Sequence, residues 1–333
     1  MVFNAGGIFR EPLLDLGQHE DAAFAGVLSP KGEVGAAREG VNAVFLENAE
    51  DYYQRYQGFN YWHGLCREAG ERIGLKDPKL IVEVGCGFGN ATLPMLDLHQ
   101  GARLVATDIS PNLLAILKRL LDARGLNDRC VPVAMDAQKP YLKEGIADCV
   151  FGAAILHHLA EPRPFIDMAM RMLKPGASAF FFEPFEAGNA VLRVICQEVT
   201  REAKTRGENG RALEFAELQI SELEPQIFRQ KTEGWRDRDD KWAFPRSVLQ
   251  DLADNAGADL RVYPIHDNVG QFRRHFAYQM KAYREMEEAE LPDWAWAIFD
   301  RYDRDTFSPD QLRDLPMAGC AIFTKRKPRK WWL

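Results

Sequence analysis

A chain of 333 residues with 46% hydrophobic side chains can bury at least one complete core, and its length admits one large domain or two smaller ones. The formal net charge of −7 argues against a broad basic face of the kind that wraps nucleic acid, because such binding rests on Lys and Arg neutralising phosphates. Six cysteines, Cys66, Cys86, Cys130, Cys149, Cys196 and Cys320, form no C-x-x-C pair, so neither a zinc site nor a disulfide framework is indicated, and a reducing cytosol is the expected setting.

Arg10, Glu11, Asp15, Glu20 and Asp21 interrupt any apolar run of signal-peptide length near the start, and no later run reaches membrane-spanning length. A cytoplasmic protein with no stable membrane insertion is expected. Residues 1–47 mix glycine, proline and charge without sustained period and read as an irregular arm. A helix is expected over 48–73, with Tyr52, Tyr56 and Phe59 at i, i+4 and i+7, further aromatics at Tyr53, Tyr61 and Trp62, and Gly74 at its end.

Strand patterns at 80–84, 102–107, 130–135, 149–153 and 178–182 then alternate with helical ones, which implies a parallel sheet with helices on both faces. The clearest helix follows the second strand: Ser110 as N-cap, Pro111 at N1, an apolar stripe of Leu113, Leu114, Leu117, Leu120 and Leu121, and Gly125 past the end. A core of 75–184 is followed by a helical insertion at 185–240, a helix and strand in 241–265, a second helical insertion at 266–318, a last strand in 319–325 and a basic tail at 326–333. There is no internal repeat.

The first core strand ends in Glu83-Val84-Gly85-Cys86-Gly87-Phe88-Gly89, where three glycines let the backbone turn sharply and approach a ligand closely. A glycine loop alone also fits a plain strand-to-helix turn. Asp108, nineteen residues after Gly89, closes the next strand where a carboxylate can accept both hydroxyl hydrogens of a ribose, unless it merely caps the helix. Asp136 closes the third strand, where a carboxylate can accept from an adenine amino group, with Ala137 and Gln138 offering backbone to the ring. A nicotinamide dehydrogenase would show G-x-G-x-x-G, and the sixth position here is Asn90.

Over residues 75–185 the sequence resembles the class I S-adenosylmethionine-dependent methyltransferases, in 82–89, 106–110, 135–138, 148–159 and 173–177. The resemblance implies an α/β fold with a doubly wound, mostly parallel seven-stranded sheet, Rossmann-like, the helical insertions forming a cap. It implies S-adenosyl-L-methionine as cofactor: Glu83 helping to hold the methionine amino group, Gly85, Cys86, Gly87 and Gly89 flanking methionine and sugar, Asp108 and Ile109 at the ribose, Asp136 and Ala137 at the adenine, and Ala153 in the loop after the fourth strand. Leu173-Lys174-Pro175-Gly176-Ala177 resembles the family's turn into strand five. The tyrosines of 48–74 are either core or a lid over the sulfonium, Tyr53 being the candidate contact.

Methyl transfer from a sulfonium is an in-line displacement, so alignment and exclusion of water supply most of the catalysis. Where the acceptor must lose a proton, His157, His158 and Glu183 are the candidate bases, each with a structural role as the alternative. The cysteine spacing supplies no iron–sulfur cluster, and no metal site is read. Neither the Asp/Asn-Pro-Pro-aromatic motif nor the Pro-Cys nucleophile of nucleic-acid methylating enzymes is present. The expected partner is therefore a small-molecule metabolite methylated on O, N or S, with no nucleic acid, and a homodimer is compatible with everything read. Arg273, Arg274 and His275 read first as solvated helix faces, with contact to an acidic acceptor group as the alternative, and Arg326, Lys327, Arg329 and Lys330 with Trp331 and Trp332 read first as a solvated tail, with an anionic surface as the alternative. A nucleotide-dependent oxidoreductase and a non-catalytic S-adenosylmethionine-binding protein are the competing readings.

Overall fold

The computed structural model describes all residues except 1, 2, 4, 37–46, 140, 230, 232, 267, 268 and 328–333. Most of the expected basic tail, including Arg329, Lys330, Trp331 and Trp332, lies outside the described residues. In chain order the elements are β1 (Leu13–Asp15), α1 (Leu16–His19), β2 (Leu28–Pro30), α2 (Ala49–Tyr56), α3 (Phe59–Ile73), β3 (Leu80–Val84), α4 (Thr92–Leu98), β4 (Arg103–Asp108), α5 (Pro111–Arg124), β5 (Cys130–Ala134), β6 (Ala147–Ala153), α6 (Pro162–Met172) and β7 (Leu173–Pro184). They continue with α7 (Glu186–Arg206), α8 (Arg211–Phe228), α9 (Arg246–Asn255), β8 (Ala258–Pro264), α10 (Gln271–Arg284), α11 (Asp293–Arg301), α12 (Pro309–Arg313) and β9 (Ala318–Lys325).

Two compact units divide the chain: Met1–Phe181 with Gln250–Arg261 and Ala321–Leu333, and Phe182–Leu249 with Val262–Cys320. The strands form one sheet of order β1-β2-β5-β4-β3-β6-β7-β9-β8. The pairs β2–β5, β5–β4, β4–β3 and β3–β6 are parallel. β3 and β5 are buried almost throughout, the pattern of strands covered on both faces. Strand order reverses between β3 and β6, the place where ligands bind beyond the strand ends of such sheets.

The sheet has nine strands rather than the seven expected, because part of the segment read as an irregular arm is ordered. β1 and β2 pair antiparallel, and β2 joins the sheet beside β5. Asp15 makes this local structure by accepting from Gly17 N at 2.8 Å and Gly26 N at 3.2 Å, so one carboxylate caps α1 and closes the turn. No apolar period announces strands of three residues.

α5 has the expected boundaries: Ser110 Oγ accepts from Leu113 N at 3.2 Å, Pro111 sits in the first turn, and Gly125 ends the helix with φ 66°. The helix expected over 48–73 is instead broken at Gln57 and Gly58, where Gln57 takes an extended backbone, while Gly74 ends α3 as expected. The turn expected at 173–177 is absorbed into β7, which bends at Gly176 with φ 81°.

The two helical insertions, read separately at 185–240 and 266–318, share one core. α7 and α8 form a hairpin whose Leu192, Ile195, Val199, Phe215 and Leu223 pack in the same cluster as Phe272 and Phe276 of α10 and Trp296 and Phe299 of α11. Phe276 stands 4.8 Å from Phe299, 5.4 Å from Phe215 and 6.1 Å from Trp296 between ring centroids. Among the described residues no helix is long and apolar enough to cross a membrane.

Candidate cofactor site

The glycine loop leaves β3 with Gly85, Gly87 and Gly89 at φ 68°, 52° and 95°, conformations that L side chains rarely adopt. A methyl group on Gly85 would lie 2.6 Å from Ile155 Cδ1, so packing alone demands glycine there. Gly87 differs: a methyl group there would meet nothing closer than Leu113 Cδ1 at 4.0 Å. Its face of the loop is open, as a ligand cradle must be.

Asp108, at the end of β4, builds this loop from beneath. One carboxylate oxygen accepts from Gly87 N at 2.8 Å, and the other accepts from Ser110 N at 2.8 Å. A carboxylate has about four lone-pair positions, and with Gly87, Ser110 and Ile109 donating to it about one remains for a ribose hydroxyl. Burial pushes the Asp108 pKa up while the backbone bonds from Ser110, Gly87 and Ile109 oppose it. Ile109 is half-buried beside it. Met135 N donates to Asp108 O at 2.9 Å, tying the loop that carries Asp136 to the end of β4. Asp136 and Ala137 are half-buried, and Asp136 Oδ1 accepts from Gln138 N at 2.9 Å. The expected ribose and adenine carboxylates therefore stand on adjacent strand ends.

Glu83, expected to help hold the methionine amino group, is fully enclosed at the end of β3. It has no accessible surface, Oε2 accepts from Thr92 Oγ1 at 2.5 Å, and Oε1 has no partner. Burial, with Asp108 nearby, pushes its pKa well up. In this geometry Oε2 ties the end of β3 to α4, and Oε1 is left unpaired beside the glycine loop. Cys86 is also buried, its thiol raised by burial, so it contributes backbone and not a thiolate.

The loop after β6 begins at half-buried Ala153 and turns at Ala154, a non-glycine residue with φ 59°. That turn aims Ile155 at the glycine loop, where it fills the space beside both Gly85 and Gly152. His157 is buried and His158 half-buried in the following turn, their ring centroids 4.0 Å apart. Glu183 lies in the second unit, near the end of β7, and is 2% exposed.

Tyr52, Tyr53 and Tyr56 pack with Phe59 around Phe88 of the glycine loop, Tyr53 at 5.1 Å and Tyr52 at 5.8 Å between centroids. Tyr61 is 46% exposed on α3 and does not belong to this cluster. Arg273 is engaged within its own unit, with Asp300 at 2.9 Å and Glu288 at 3.3 Å, so it is not the ready anion ligand the sequence suggested. Sequence reasoning missed Thr92, Ile155 and the hydrogen bonds of Asn90, because each works through a tertiary neighbour that spacing does not show.

Residues 82–181 match the family model of the methyltransferase domain. A demethylmenaquinone methyltransferase of Thermus thermophilus is 31% identical over 128 residues, covering 37% of this chain and 57% of that protein. An uncharacterised protein of Synechococcus is 25% identical over 268 residues, covering 77% and 59%. The chain thus spans less than two thirds of the length of these relatives. The putative methyltransferase of Haloferax volcanii, solved with its activator Trm112, shares the fold with a TM-score of 0.51 at 14% identity, covering 87% of this chain and 99% of that one. Residues 82–181, which hold the loop and the strand-end carboxylates, thus form a methyltransferase domain of the class I, S-adenosylmethionine-dependent kind.

Proposed function

We propose that the protein binds S-adenosyl-L-methionine at the ends of β3, β4 and β5 and transfers its methyl group by in-line displacement to an O, N or S atom of a small-molecule metabolite. The observation that carries this reading is the Asp108 carboxylate at the end of β4, which fixes Gly87 and Ser110 and keeps acceptor capacity for a ribose hydroxyl. Gly87 and Gly89 present backbone to the methionine and sugar, and Asp136 with Ala137 receives the adenine. When bound, the cofactor supplies an electrophilic methyl group on a sulfonium.

His158, less buried than His157, is the proposed base for an acceptor that must lose a proton, and His157 orients it from 4.0 Å between ring centroids. The charge balance, the missing nucleic-acid motifs and the quinone-methylating relative from Thermus support a small acceptor. The helical unit lies wholly outside the matched residues. Calorimetric titration with S-adenosylhomocysteine and, separately, NADH tests the cofactor assignment. Tight binding of the former alone is expected; binding of NADH alone, or of neither, overturns it.

A further inference from the structure

Asn90 follows the glycine loop, and its side chain meets the backbone on both sides of the break between α2 and α3. Tyr56 is the last residue of α2, so its carbonyl lacks an intrahelical partner, and Gly58 precedes α3 with no side-chain cap of its own. Asn90 answers both: Nδ2 donates to Tyr56 O at 2.9 Å, and Oδ1 accepts from Gly58 N at 2.9 Å. An amide side chain carries one donor group and one acceptor in a fixed plane, which matches one free carbonyl and one free N–H two residues apart. Glycine would make neither bond, and aspartate would lose the donor and set a carboxylate against the Tyr56 carbonyl.

The tie acts on the glycine loop at the same place as the aromatic cluster. Phe88 is 2% exposed and packed by Tyr52, Tyr53 and Phe59, and Asn90 stands two residues further along. α2 is also held to α5, where Arg119 pairs with Glu50 at 2.9 Å and lies 5.9 Å from the Tyr53 ring. The backbone of Asn90 does not need a positive φ, so the residue type is not demanded by the loop's own turn.

We propose that Asn90 is a positioning residue: its two hydrogen bonds join the α2–α3 break to the end of the glycine loop, so that the tyrosine helix and the loop hold one joint position and cofactor affinity depends on that tie. This rests on the S-adenosylmethionine reading given above. It also gives a role to the residue that replaces the last glycine of the dinucleotide fingerprint.

The test uses the full chain as wild type, Asn90→Gly and Asn90→Asp, with S-adenosylhomocysteine as the probe. Calorimetry measures affinity, and amide hydrogen exchange follows residues 49–59 with and without the probe. In Asn90→Gly the Gly58 amide should exchange faster even without the probe, and in both variants affinity should fall about tenfold and the probe should no longer slow exchange across 49–59. Melting temperatures within a few degrees of wild type would show that both variants fold. A wild type that binds the probe, with Asn90→Gly binding equally well and gaining the same protection over 49–59, overturns the proposal alone. A wild type that does not bind the probe overturns the cofactor reading, and this proposal with it.

Discussion

The glycine-loop region and the helical unit are both densely packed, but different contacts hold them. Around the loop the fixing contacts are polar and aimed at backbone: Asp108 on Gly87 and Ser110, Asn90 on Tyr56 and Gly58. In the helical unit they are largely apolar, with Phe276 among Phe215, Trp296 and Phe299. The first kind fixes the direction of individual N–H and C=O groups, which a site reading its ligand through backbone requires. The second fixes volume, and many sequences fill a volume equally well.

One buried group in each region, Glu83 and His275, titrates in the opposite sense to the other. Glu83 is raised by burial, so the folded state holds its proton more tightly than the unfolded one. That stability is complete below the unfolded carboxyl value of about 4.3 and is lost as pH rises through the folded value. His275, in the helical unit, is lowered to about 4 by burial with His266 adding to the effect. Its contribution is complete above the unfolded value of about 6.5 and is lost as pH falls toward the folded one.

Asp108→Ala should break the comparison hardest, since it removes the loop's anchor and the ribose acceptor together. Binding of S-adenosylhomocysteine should weaken at least about a hundredfold by calorimetry, and an unchanged affinity would refute the ribose role. His158→Ala should lower kcat about a hundredfold on an oxygen acceptor while leaving cofactor affinity within twofold; an unchanged kcat and pH profile would leave His158 structural.

Phe276→Ala should cost about 3–5 kcal/mol of stability in denaturant unfolding without altering the cofactor affinity of protein that remains folded. A coupled loss of affinity would mean that the two kinds of packing are not independent. The smallest effects should come from the neutral substitutions. Glu83→Gln should flatten the decline of melting temperature as pH rises above about 4.3, and His275→Gln the decline as pH falls below about 6.5. The same slope in wild type and variant would show that the named group does not drive it.

Much of the first region was legible in the sequence because its chemistry is local. Glycines at close spacing, a carboxylate ending each of the next two strands, and Ser110 with Pro111 and Gly125 bounding a helix are constraints within a few residues of one another. β1 and β2 were not legible, because strands of three residues bury too little to impose a period and are held by pairing with each other and with β5. Nor was the break between α2 and α3: an aromatic helical period runs straight through Gln57 and Gly58, and the Asn90 side chain that satisfies the broken ends comes from residues away in sequence.

By itself the sequence determined the alternating strands and helices, the glycine loop, Asp108 and Asp136, and hence the kind of nucleoside cofactor to expect. Only the tertiary structure decided that Glu83 is fully buried against Thr92, that Ile155 fills the space beside Gly85, and that two separate insertions share one core. The physical reason is range. Backbone conformation and hydrogen-bond type are set by neighbours a few residues away, whereas burial and the partner a side chain meets depend on which distant surfaces the fold brings together.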